Sequence, residues 1–184
     1  MKPGIRFTLG LLALLSAVPA QPANNPAVAS KIDAGVRARG DAIDDLKRGN
    51  PTAALAKLRA ATKHSARASS DDLQVVGELC SIARELEAAS PGSGRAVALT
   101  AAAEGAKARP GLSRKEAAAL EAHLGELHES VLGDPAKARM FYQSALTLEA
   151  TRQDARLGLQ RLVHLEALIQ AKAQENAALR RRGK

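Results

Sequence analysis

His123-Leu124-Gly125-Glu126-Leu127-His128 is the cluster in this chain that most resembles a metal site. On a helix, a separation of five residues turns two side chains about 140° apart, so the imidazoles diverge. Zinc-binding helices place their histidines four residues apart, on one face. The segment therefore reads as polar residues flanking a leucine stripe, and no metal is expected. His64 and His164 are isolated. Pro91-Gly92-Ser93-Gly94 lacks the following Lys and the preceding strand of a phosphate-cradling loop. The serines fall in caps and turns, and no Ser/His/Asp arrangement can be built from them. Asp44-Asp45 and Asp71-Asp72 read as solvated helix faces or helix starts. No catalytic residue and no cofactor site is expected, and the expected function is non-enzymatic.

Cys80 is the only cysteine, which rules out an internal disulfide. Val76, Leu79 and Ala83 would share its helix face, so it is expected to be a small buried apolar residue. Basic charge is the other chemical lead, at a net +8. Nucleic acid is nevertheless not the expected partner. Only 2% of the residues are aromatic, so side chains for stacking on bases are scarce. Many cations also sit beside acids, as in Arg84-Glu85. The cluster Arg180–Lys184 could hold an anionic surface by simple attraction.

The N-terminal residues have the layout of a secretory signal. Lys2 and Arg6 precede an apolar run from Phe7 to Val18, and small residues allow cleavage after Ala20 or Ala23. The run is shorter than the ~20 apolar residues a spanning helix needs. No cysteine is near the cleavage site for a lipid anchor. The expected organisation is a signal peptide over 1–20, an extended leader over 21–26, one helical-repeat domain over 27–180 and a basic tail over 181–184. The mature chain is expected to be exported, periplasmic or secreted, and to have no transmembrane segment.

Positioning elements follow from the periodicity. Alanine is abundant and strand signals are nearly absent, so the chain is expected to be all-α. Helices are expected over about 28–47, 51–64, 70–89, 95–108, 114–131, 135–149 and 152–179. The fifth carries the stripe Ala117, Leu120, Leu124, Leu127 and Val131. In the last, Leu159, Leu162, Val163, Ile169 and Ala173 lie near one face, and Glu166 interrupts them. The apolar spacing of this helix is compatible with a coiled coil, although the run is short and rich in alanine.

One segment occurs twice. Gly49-Asn50-Pro51-Thr52-Ala53-Ala54 returns 84 positions later as Gly133-Asp134-Pro135-Ala136-Lys137-Ala138. Leu58 then answers Tyr142, and Ala61 answers Ala145. Odd-numbered helices start at nearly equal intervals of about 40 residues, as stacked helical hairpins do.

The third hairpin resembles a tetratricopeptide repeat (TPR). Leu124-Gly125 is similar to the Leu-Gly of that repeat's first helix. Ala138, Tyr142 and Ala145-Leu146 are similar to its second-helix alanine, aromatic residue and closing alanine. Ala54, Leu58 and Ala61 repeat half of the pattern in the first hairpin. Glu121 stands where the repeat has its signature Trp, and Ala150 where it has its closing Pro. The resemblance implies a TPR-like α-solenoid, a right-handed stack of about three antiparallel hairpins plus a C-terminal capping helix. It also implies a concave face of odd-numbered helices that binds a peptide or protein, with Glu126, Glu129, Arg161 and His164 as candidate groove residues. The expected function is an exported scaffold or adaptor. The alternative is an electrostatic binder of an anionic envelope surface or polyanion.

Overall fold

The structure is a computed structural model and describes residues 26–62 and 68–182. The expected signal segment 1–20 and the leader up to residue 25 lie outside the described residues, as do His64 and the last two residues of the basic tail. Seven α-helices are described, with no strand among the described residues: α1 Pro26–Lys47, α2 Pro51–Thr62, α3 Ala68–Ala89, α4 Arg95–Ala108, α5 Arg114–Ser130, α6 Pro135–Leu148 and α7 Gln153–Arg182. A single 3-10 turn, Arg109–Gly111, joins α4 to α5.

The duplicated segment builds the same junction twice. Gly49 and Gly133 take positive φ, at 74° and 65°, and end α1 and α5 in the left-handed conformation that glycine adopts without strain. The next residue caps the following helix. Asn50 Oδ1 accepts from the Ala53 N–H at 3.3 Å, and Asp134 Oδ1 from the Lys137 N–H at 3.0 Å. Pro51 and Pro135 then occupy the first helical position, where a missing N–H has no consequence. Ser113 and Glu116 form a capping box at the start of α5.

Helices α1/α2, α3/α4 and α5/α6 each pack as a pair, α3 also touches α2 and α5, and α7 packs on α6 and α5. Small residues set the spacing. On α4, Ala98, Ala101, Gly105 and Ala108 are buried. A Cβ at Gly105 would come within 2.9 Å of Leu120 Cδ1, so that glycine lets α5 approach closely. One core runs from α1 to α5 around Leu58, Val76, Leu79, Ile82, Leu120 and Leu127. Burying each such side chain contributes about 1.5–3 kcal/mol. A second, smaller core joins α5, α6 and α7 around Tyr142, with Ala122, Ala138, Ala145, Ala155 and Leu162. Among the described residues no helix is long and apolar enough to cross a membrane.

Four expectations need correction. Pro26 belongs to α1 rather than to an extended leader. Helix α3 starts at Ala68 rather than near residue 70, and Ser70, inside it, donates to Glu116 Oε1 on α5 at 2.6 Å. The first two residues of the expected basic tail over 181–184 belong to α7, which stays helical through Arg182. The expected apolar face of α7 is packed only at its start. Leu162 is buried and Leu159 packs against the second core, whereas Val163 and Ile169 are exposed. Burial is confined to the first third of that helix, although Glu166 beyond it still pairs with Arg139 on α6.

Candidate functional site

Arginine–carboxylate pairs link the odd-numbered helices in series. Arg39 on α1 donates to Glu78 on α3 at 3.1 Å and also pairs with Glu85. Arg84 on α3 pairs with Glu126 on α5. Arg161 on α7 grips Glu129 on α5 with two hydrogen bonds of 2.8 Å. Exposed pairs of this kind contribute roughly 0–1 kcal/mol each, so they set register more than stability. The Arg161–Glu129 fork is the strongest of them, because it is bidentate and its carboxylate is only 17% exposed.

Tyr142 packs at this end, between α5 and α7. Its ring lies between two glycines. A Cβ at Gly125 of α5 would sit 2.7 Å from the ring, and one at Gly158 of α7 would meet it closer still. The ring therefore fills the gap between the third hairpin and α7. Its hydroxyl donates to Glu129 Oε2 at 2.5 Å and accepts from Arg161 at 3.3 Å. Burial, followed by the Glu129 contact, raises the Tyr142 phenol above its ordinary value, so it stays protonated. Burial pushes the Glu129 carboxyl up, but the hydrogen bonds from Arg161 and Tyr142 outweigh it and hold the group below its usual range.

Beside this cluster a cleft of about 180 Å³ opens, lined by His123, Glu126, Tyr142, Asp154, Leu157 and Arg161. Burial lowers the His123 pKa, which favours the neutral imidazole. The walls thus offer carboxylates, one guanidinium, a neutral imidazole and an apolar edge at Leu157. A wider groove of about 500 Å³ lies between α1, α2 and α3, and Arg39, Leu58, Thr62 and Glu78 are part of its lining.

Three of the four candidate groove residues come together. Glu126 and Arg161 line the cleft, and Glu129 lies against Arg161 and Tyr142. His164 is exposed on α7 and does not line it. Of the expected packing residues, Ala54, Leu58, Leu124, Gly125, Ala138, Tyr142 and Ala145 are buried. Ala61 is half-buried at the edge of the wider groove.

Interior acids were missed in the sequence. Asp45, expected on a solvated face, is buried with Lys57 Nζ 2.6 Å away. Glu104 is buried between Arg59 at 2.5 Å and Lys107 at 2.6 Å. Glu121, in the place of the repeat's Trp, is buried and pairs with Arg109. Opposite charges spaced by roughly one repeat, such as Arg59 and Glu104, were the available signal. Neighbouring charges misled, since Arg84 and Glu85 turn to different helices.

Among the described residues no group of three or more His, Cys, Asp or Glu could hold a metal ion. His128 stacks on Phe141 with ring centroids 5.1 Å apart, turned away from His123, which lies by Gly77. Cys80 is buried, and burial pushes its thiol up to about 12, far from a reactive thiolate. Comparison with family models, with curated proteins and with solved structures found no match to this chain.

Proposed function

We propose that the chain is an exported, non-enzymatic scaffold that holds an extended peptide or protein segment. In this reading the three hairpins stack as a right-handed, TPR-like solenoid, and the first turns of α7 cap it. The ligand lies on the face of the odd-numbered helices and reaches into the cleft beside Tyr142.

One observation carries the proposal. Helices α1, α3, α5 and α7 are bridged one to the next by Arg39–Glu78, Arg84–Glu126 and Arg161–Glu129. A row of parallel-running helices cross-linked in this way presents polar side chains at regular steps. That suits a ligand with its own repeating polar groups, which is what an extended peptide is. The mixed charge and the Leu157 edge of the cleft supply both an ionic and an apolar contact.

The test is capture from an envelope extract at low and high salt, with Leu157→Asp as the control. Leu157 is exposed, so the substitution leaves the body folded. A polypeptide retained at both salt concentrations and lost with Leu157→Asp is the expected result. Capture only of anionic lipid or polymer, lost at high salt and unaffected by the substitution, would contradict it and leave the basic charge as the functional feature.

A further inference from the structure

From Val163 to Arg181 every residue of α7 is exposed, on all sides of the helix. Leu165, Leu168, Ile169 and Leu179 are among these residues, each 45–60% exposed. Leu165, Ile169, Lys172, Asn176 and Leu179 follow one another at intervals of 4, 3, 4 and 3, which is a heptad seam. In that register Ile169 and Asn176 fall at a, and Leu165, Lys172 and Leu179 at d. Two-stranded parallel coils favour a β-branched residue at a and leucine at d, with one asparagine at a to fix register. The flanking charges agree. Glu175 falls at g and Arg180 at the following e, which face each other across a parallel pair. Neither forms an ion pair within its own chain among the described residues. A lipid surface fits less well, because an interfacial helix keeps its charges off the apolar stripe. Here Lys172 and Asn176 lie within it.

We propose that α7, from Leu165 to Leu179, pairs with the same segment of a second copy as a short parallel coiled coil. The seam is about two heptads long, so the pair is weak and concentration-dependent. Each body then stands at the same end of the coil, with its odd-helix face free.

Sedimentation equilibrium of the chain as isolated, over a wide concentration range, tests this. Wild type is expected to show a reversible monomer–dimer equilibrium. An Ile169→Asp/Leu179→Asp double variant is expected to remain monomeric with an unchanged Tm, since both side chains are exposed in the single chain. An Asn176→Cys variant should form an interchain disulfide on mild oxidation, while buried Cys80 stays inert. A wild type that is monomeric throughout, or a double variant that dimerises like wild type, would overturn the proposal. A dimer that Asn176→Cys cannot cross-link would overturn the parallel arrangement. A monomer that co-sediments with anionic vesicles, and loses this in the double variant, would assign the stripe to a lipid surface instead.

Discussion

The ten residues Gln153–Leu162 and the twenty residues Val163–Arg182 form one continuous helix but live in different environments. The first part buries Ala155, Gly158 and Leu162 against α5 and α6. From Val163 to Arg181 the second part buries nothing. Helix propensity does not separate them, because leucine, alanine and charged residues occur in both. Shape does. Gly158 admits the Tyr142 ring, and Arg161 reaches the Glu129 that this ring's hydroxyl also contacts. One glycine, one aromatic ring and one bidentate ion pair dock the first part. The second part leaves Leu165, Ile169 and Leu179 exposed, and the Arg139–Glu166 pair ties it to α6 without covering them.

Removing the ring should have the largest effect. Tyr142→Ala leaves a cavity at the α5–α6–α7 junction and is expected to cost about 3–5 kcal/mol in denaturant unfolding. A loss below about 1 kcal/mol would mean that the ring does not fix α7. Filling its socket comes next. Gly158→Val puts a side chain where the ring lies and is expected to cost about 3 kcal/mol. Gly40→Ala is the matching control, as nothing lies within 4 Å of a Cβ there, and it should be neutral or stabilise by up to about 1 kcal/mol.

Acid should weaken the clamp by a smaller amount. The folded Glu129 pKa is lowered, so the stability it contributes is fully present above the unfolded value of about 4.3 and is lost as pH falls through the folded value. Unfolding midpoints followed below pH ~5 should fall less steeply in Glu129→Gln than in wild type. Parallel slopes would show that Glu129 does not hold α7. Substitution in the projecting half should matter least. Leu168→Asp is expected to change the stability of the dilute chain by no more than about 0.5 kcal/mol. A large loss would place Leu168 in a packed environment that its 54% exposure excludes.

Much of the framework could be read in the sequence, for physical reasons. The turn Gly133-Asp134-Pro135 contains a left-handed stop, a cap and a first-turn proline in three adjacent residues, so its structure is local. The same is true of Ser113 and Glu116. Helix α4 ran over Arg95–Ala108 as expected, because Gly94 and Arg109-Pro110-Gly111 delimit it. Cys80 was legible from its neighbours at helical spacing, and it is buried. The site was legible only in part. Glu126 and Arg161 could be placed on the right helices through the repeat pattern, but their partners lie on other helices, as Arg84 lies 42 residues before Glu126. Asp45, Glu104 and Glu121 were illegible as interior groups, since a carboxylate reads as exposed until its cation is known. The α7 stripe misled for a related reason. Apolar periodicity shows that a face seeks cover, but not whether the same chain supplies it.

Amide hydrogen exchange along α7, measured in dilute solution, tests the division most directly. The account predicts protection from about Ala155 to Leu162 approaching that of α5, and rapid exchange beyond Val163. Equal protection of both parts in a chain shown to be monomeric would contradict it, because the far half would then be packed on its own body.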